Sequence, residues 1–157
     1  MAKNTETTGG FSAQERAAMK ERAAELRAEA KRSKSADKAA AEEAKVLEKI
    51  AHMPDGDRQL AEHVHAIVTS EAPGLAPKLY YGQPGYAKGG NVVVFFRSGQ
   101  MDKERYSTFG VSTHATLDEK SGFWPTSYAL VEPSEQAWEQ LGDVVRRATG
   151  GEESRAG

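Results

Sequence analysis

Hydrophobic and polar positions divide the chain into a polar N-terminal third and a longer part with regular apolar spacing. Residues 1–45 contain only Met1, Phe11, Met19 and Leu26 as large apolar side chains. Because folding is driven by the burial of such side chains, the folded domain is predicted to begin at about residue 46. Four segments follow: disorder over 1–10, an Ala- and charge-rich helical extension over 11–45, an α+β domain over 46–149 and a disordered tail over 150–157.

The extension has the composition and the start signal of a helix. Ser12 and Glu15 have the spacing of a capping box, in which each side chain bonds the backbone amide of the other residue. Alanine and charged residues that favour helices continue from there to about Lys31. The polar stretch 33–37 is predicted to interrupt this helix before a second helical run over about 38–52.

Two interpretations of the extension remain open. Its apolar stripe is thin, and a coiled-coil seam requires several sustained heptads, so a solvated helix that packs weakly is the favoured interpretation. A dimerisation helix is the alternative. The sequence accordingly predicts a monomer or a weak homodimer.

The rest of the chain alternates between helical and strand patterns. Apolar residues spaced three and four apart predict a helix over 57–71 and a last helix that starts at the N-cap Ser134 and stops at Gly150. Between these helices, alternating or continuous apolar runs predict strands over 78–81, 86–88, 91–97, 104–111 and 126–131. Gly89 and Gly90 are predicted to close a type I′ hairpin.

This order of elements predicts an α+β fold. We expect an antiparallel sheet of about four to five strands with helices packed on one face, preceded by the charged helical extension. The unbroken apolar run Val92–Phe96 further predicts a central strand that is covered on both faces.

Composition removes several function classes. The 157 residues include no cysteine, which excludes disulfides and thiolate metal sites. No apolar stretch approaches the roughly 20 residues of a membrane span, and no signal-peptide core is present, so we expect a cytoplasmic protein without a membrane partner. The formal charge is −2 and basic residues are not clustered, so no nucleic-acid partner is expected.

Catalysis is not predicted. Ser107 or Ser112 would need a neighbouring base such as His114, yet neither serine lies in a Gly-x-Ser-x-Gly turn. No phosphate-binding glycine loop precedes a helix. The sequence therefore predicts neither a catalytic residue nor a cofactor.

A rigid, glycine-rich loop with tyrosines at its ends is the preferred binding surface. The candidate binding residues are the loop positions together with two more aromatic residues of the predicted sheet: Tyr81, Gly82, Pro84, Tyr86, Tyr106 and Trp124. Aromatic groups with polar tips on a concave surface form ligand or peptide sites. The competing interpretation makes the phenylalanines and Trp124 core and the tyrosines its rim.

Candidate metal ligands are sparse. Glu62, His63 and His65 form the densest group, but residues two apart on a helix point about 200° away from each other. The acidic pairs Asp118–Glu119 and Asp55-x-Asp57 fit ordinary turn capping as well as weak iron(II) binding. No metal ligand is assigned.

Several motifs in order along the chain resemble the YdhG-like superfamily, known as domain of unknown function 1801. The matching residues are Tyr81, Gly82, Pro84, Tyr86, Phe95, Phe96, Arg105, Tyr106, Thr108, Phe109, Gly110, Leu117, Asp118, Trp124, Pro125 and Thr126. The resemblance covers about residues 46–149. It implies a small bacterial α+β domain, and for some members a frataxin-like iron chaperone.

The resemblance thus implies an iron carrier or iron-homeostasis accessory protein, with iron or an iron-accepting protein as partner. The alternative, from the residues themselves, is a small-ligand or peptide-binding module that uses the loop between Tyr81 and Tyr86 and the aromatic face of the sheet.

Overall fold

A computed structural model describes residues 11–150. The disorder predicted for 1–10 and for 151–157 lies outside these residues. The chain divides into two compact units, Met1–Lys38 and Ala39–Gly157, of which 11–38 and 39–150 are described. Helix α1, Ala13–Ala51, begins in the first unit and ends in the second.

The interruption predicted at residues 33–37 is wrong, because α1 runs without a break through them. Serine and aspartate cost only about 0.5 kcal/mol each relative to alanine inside a helix, which is too little to end one flanked by strong helix formers. The predicted capping box is confirmed: the Ser12 amide donates to Glu15 Oε1 at 2.8 Å, and the Glu15 amide donates to Ser12 Oγ at 3.0 Å. Within residues 11–150, no helix combines the length and hydropathy needed to cross a membrane.

The second unit has the predicted α+β fold. Its further elements are α2 Asp55–Glu71, β1 Ala76–Tyr80, β2 Gln83–Lys88, β3 Asn91–Arg97, α3 Gly99–Asp102, β4 Ser107–Val111, β5 Ser127–Leu130 and α4 Glu135–Ala148. The strands form one antiparallel sheet in sequence order, β1-β2-β3-β4-β5. Ser134 is the N-cap of α4, as predicted, and accepts a hydrogen bond from the Ala137 amide at 3.1 Å.

The core lies between one face of the sheet and the helices. The helices contribute buried residues that include Val46, Ile50, Val64, Val68, Leu141 and Val145, and the sheet contributes Tyr86, Val93, Val94, Phe96 and Phe109. Since the first of these buried residues is Val46, large apolar side chains enter the core where the sequence pattern changes.

A β-bulge in β3 decides which of its side chains enter the core. Tyr86 pairs with Val94 and Ala87 pairs with Val92, so Val93 is an extra residue. Val93 and Val94 both join the core, whereas Val92 and Phe95 line a groove on the other face. The strand was predicted correctly, and the expectation that both of its faces are covered is met only in part: on the groove side Val92 is buried, whereas Phe95 is half-buried.

Two tight hairpins set the register of the first three strands. Gly89 and Gly90 have φ of 58° and 87°, as a type I′ turn requires, and they join β2 to β3 as predicted. Tyr81 and Gly82, with φ of 49° and 79°, join β1 to β2 in the same manner. The loop predicted between Tyr81 and Tyr86 is therefore wrong, because β2 already begins at Gln83.

Candidate functional site

A groove lies over the sheet face that turns away from the core. We call it the open-face groove; it has a volume of about 880 Å³ and is lined by residues that include Lys78, Tyr80, Val92, Phe95, Asp118 and Trp124. Paired residues of an antiparallel sheet share a face. One row of such pairs crosses the sheet beneath the groove, from Lys78 through Gly85, Phe95 and Gly110 to Ser127.

Glycines on both sides of Phe95 shape the base of the groove. A Cβ atom at Gly110 would lie 2.3 Å from Phe95 Cζ, so the phenyl ring rests directly against the backbone of β4. A Cβ atom at Gly85 would lie 2.8 Å from Tyr80 Cβ and 3.3 Å from Val92 Cγ1. Both positions exclude a side chain: the Phe95 ring covers Gly110, and Tyr80 and Val92 cover Gly85, so that these side chains form the apolar base of the groove.

Three aromatic side chains continue from this base to the rim. The rings of Tyr80 and Phe95 have centroids 5.1 Å apart and planes tilted by 38°, and Tyr81 contacts Tyr80 edge-on at 4.6 Å. Trp124 also lines the groove; it is half-buried and packs in part against the core. An aromatic molecule placed on Phe95 would thus find the Tyr80 ring beside it.

Tyr81 is in a conformation that aromatic residues rarely adopt. Its φ of 49° lies in the left-handed region, which is unfavourable for a bulky L-residue, and its side chain is 81% exposed. Backbone strain of this kind occurs frequently at binding sites. Since neither burial nor a hydrogen bond explains a tyrosine at this position, its place on the groove rim supports a functional interpretation.

Polar groups from two parts of the chain line the groove. Lys78 lies in the edge strand β1, whereas His114 and Asp118 belong to the segment between β4 and β5. Lys78 is half-buried, and the other two side chains are exposed. The groove therefore combines an aromatic base with one ammonium group, one carboxylate and one imidazole.

The residues predicted to form one binding surface do not lie together. Tyr81 and Trp124 line the open-face groove. Pro84 and Tyr86 are buried in β2, and Gly82 only completes the turn after Tyr81. The predicted surface between Tyr81 and Tyr86 is therefore wrong, because the bracketing tyrosines lie on different faces of the sheet.

Tyr106 lines a different groove of about 450 Å³ near the start of α4. Trp138 and His63 stack there with ring centroids 3.8 Å apart, and the guanidinium of Arg105 lies 5.1 Å from the Tyr106 ring. Tyr106 thus does not contribute to the open-face groove, in contrast to the prediction.

Tyr86 belongs to a buried polar contact with helix α2. Its hydroxyl lies 3.0 Å from His65 Nδ1, and His65 Nε2 lies 3.8 Å from a carboxylate oxygen of Glu43 in α1. Burial raises the pKa of Tyr86 above its ordinary value, with a smaller contribution from Glu43, so the hydroxyl keeps its proton. Because the Glu43 carboxylate can only accept, it favours a proton on Nε2 and leaves Nδ1 to accept from Tyr86.

Because His65 takes part in this contact with Tyr86, we expect the protein to be less stable in mild acid. Burial lowers the pKa of His65 below 6.5, and Glu43 opposes that effect in part. The unfolded chain then binds more protons than the folded one as the pH falls below about 6.5, so the free energy of unfolding decreases. We expect urea denaturation at pH 7.5 and 5.5 to show this decrease.

Two variants separate His65 from other titrating groups. His65→Gln should reduce the difference between the two pH values. Glu43→Gln removes the opposing charge and should enlarge the difference, although Glu62 borders the same cavity and keeps its charge. If the pH dependence is the same in His65→Gln as in the unmodified protein, His65 does not carry it.

The candidate metal ligands have other contacts. His63 stacks on Trp138, and His65 is hydrogen-bonded to Tyr86. The buried Asp57 accepts hydrogen bonds from Ser98 Oγ and the Gln100 amide. Among residues 11–150, no group of three or more His, Asp or Glu side chains is placed to hold a metal ion.

Sequence reasoning missed the central residues of the groove. Phe95 was assigned to the core, and Lys78 and Tyr80 were treated only as part of a strand. The sequence does contain a usable indication, because Gly85 and Gly110 are glycines inside strands, where they mark a close approach to the backbone. Only the register shows that both face Phe95.

Comparison with known proteins adds no assignment. The chain matches no protein-family model, no curated protein and no solved structure.

Proposed function

We propose that this protein is a non-enzymatic binding protein that holds a small planar aromatic molecule in the open-face groove. The aromatic base formed by Phe95, whose ring lies on Gly110, and by the adjacent Tyr80 ring is the observation that carries this proposal. The groove volume of about 880 Å³ falls within the roughly 300–1,000 Å³ of small-ligand sites. Tyr80 and Trp124 supply additional ring contacts at its sides.

A titration with the neutral probe 2-naphthamide tests the proposal. Amide spectra of the ¹⁵N-labelled protein should show shifts concentrated at Gly85, Phe95 and Gly110 and at the indole N–H of Trp124. Shifts of this kind report the binding site even when affinity is weak. Shifts spread over the surface, or concentrated in the groove beside Trp138, would contradict the proposed site.

A pair of phenylalanine variants provides the matched control. Phe95→Leu removes the aromatic base and should weaken 2-naphthamide binding about fivefold, as expected for the loss of one ring contact of about 1 kcal/mol. Phe123 is 88% exposed and does not line the groove, so Phe123→Leu should leave binding unchanged. Equal binding by both variants would show that Phe95 is not the base of the site.

The YdhG-like resemblance and the iron-carrier function that it implies stay predictions. They are supported by the sequence motifs between Tyr81 and Thr126. The cytoplasmic location and the monomeric or weakly dimeric state likewise stay predictions from composition.

A further inference from the structure

We propose that the ligand of the open-face groove is a monoanion, an aromatic carboxylate whose charge is balanced by Lys78. This inference rests on the proposed function and adds the chemical class of the ligand. Among the described residues that line the groove, Lys78 is the only lysine or arginine.

The register places the Lys78 side chain beside the aromatic base. Lys78 pairs with Gly85, which pairs with Phe95, so the three residues form one row on the same face. Two strand spacings separate Lys78 from Phe95, or about 10 Å. Gly85 itself is buried, with Tyr80 Cβ and Val92 Cγ1 lying against it, and the Tyr80 ring contacts the Phe95 ring. Lys78 and these two rings line the same groove, so a ligand ring on Tyr80 and Phe95 could direct a substituent towards Lys78.

The charge of Lys78 lacks a counter-ion in the part of the chain that the structure describes. Arg97, two residues after Phe95, is instead paired with Asp102 at 2.8 Å, so its charge is already balanced. Asp118 also lines the groove, but among residues 11–150 no ion pair joins its carboxylate to Lys78. A ligand carboxylate near Lys78 would supply the missing partner.

The same arrangement favours a ligand with one negative charge over a ligand with several. A polyanion such as a nucleic acid is bound by clusters of basic side chains, and this groove provides a single lysine together with the carboxylate of Asp118. A charge-assisted hydrogen bond from one ammonium suits one carboxylate. The planar base simultaneously requires that the carboxylate be attached to a ring.

Two probes with the same ring system test the inference. We expect 2-naphthoate to bind about fivefold more tightly than neutral 2-naphthamide, which corresponds to about 1 kcal/mol for a partly exposed ion pair. In Lys78→Gln this preference should disappear, so that the two probes bind with similar affinity. Lys88→Gln is the matched control, since Lys88 is exposed near the end of β2 and does not line the groove.

The outcomes distinguish the two proposals. Equal binding of both probes in the groove of the unmodified protein would overturn the role of Lys78 and leave the aromatic site standing. Loss of the preference in Lys88→Gln as well as in Lys78→Gln would attribute it to overall charge and also overturn the inference. Absence of groove shifts with both probes would overturn the aromatic site itself.

Discussion

Replacing Phe96 with alanine is expected to lower the free energy of unfolding by about 3–5 kcal/mol, the usual cost of deleting a buried phenyl ring and leaving a cavity. Phe96 is fully buried and pairs across the sheet with Phe109, which is also fully buried. Urea denaturation followed by tryptophan fluorescence measures the change. Fluorescence is preferred because both tryptophans lie in the second unit, whereas far-UV circular dichroism would also report the helix over residues 13–38.

The neighbouring Phe95→Ala is the matched control. Phe95 is half-buried and contacts Tyr80 and Gly110 at the open face, so its removal should cost about 1–2 kcal/mol. A loss in Phe95→Ala as large as that in Phe96→Ala would mean that both faces of β3 are covered. That result would contradict the open-face groove as well as the stability prediction.

Asp57→Ala is expected to lower the free energy of unfolding by about 3 kcal/mol, because the buried Ser98 hydroxyl and the partly buried Gln100 amide lose their acceptor. Asp57 is 7% exposed; its Oδ2 accepts from Ser98 Oγ and, at 2.9 Å, from the Gln100 amide. Ser98 in turn accepts from the Met101 amide at 3.2 Å and caps α3. The carboxylate thereby joins the first turn of α2 to the start of α3, and denaturation in urea measures its contribution.

Two further variants test this interpretation of Asp57. Asp57→Asn keeps one carbonyl acceptor and should lose less stability than Asp57→Ala. Asp55 occupies the same turn, but its side chain is 95% exposed and forms one ion pair with Arg58. Asp55→Ala should therefore have a much smaller effect. Comparable losses in Asp55→Ala and Asp57→Ala would show that the buried hydrogen bonds are not the cause.

Local patterns predicted most elements of the second unit. The apolar face of α2, the cap at Ser134 and the turn at Gly89–Gly90 depend on residues close together in sequence, and each is present in the structure. The continuous helix α1 was missed because weak helix formers at 33–37 were given too much weight. Helix α3 was not predicted because its four residues are too few to show a helical apolar period, although its N-cap Ser98 is local in sequence.

The candidate site was predicted only in part. Tyr81 and Trp124 line the open-face groove, and their role in binding stays a prediction, whereas Tyr86 lies in the core. Its burial depends on the pairing with Val94 and on His65 from α2, and both contacts are remote in sequence. Alternating patterns within β2 do not reveal which face a helix will cover.

The sequence by itself determined that a polar helix precedes an α+β domain whose sheet lies between about residues 78 and 131, close to the observed 76–130, because apolar spacing and turn residues act over a few positions. The tertiary structure alone decided that Val93, Val94 and Phe96 enter the core while Val92 and Phe95 line the groove. A bulge shifts the alternation of side chains by one residue, and its position is set by pairing with a neighbouring strand. The groove exists because that pairing also places Gly85 and Gly110 on either side of Phe95.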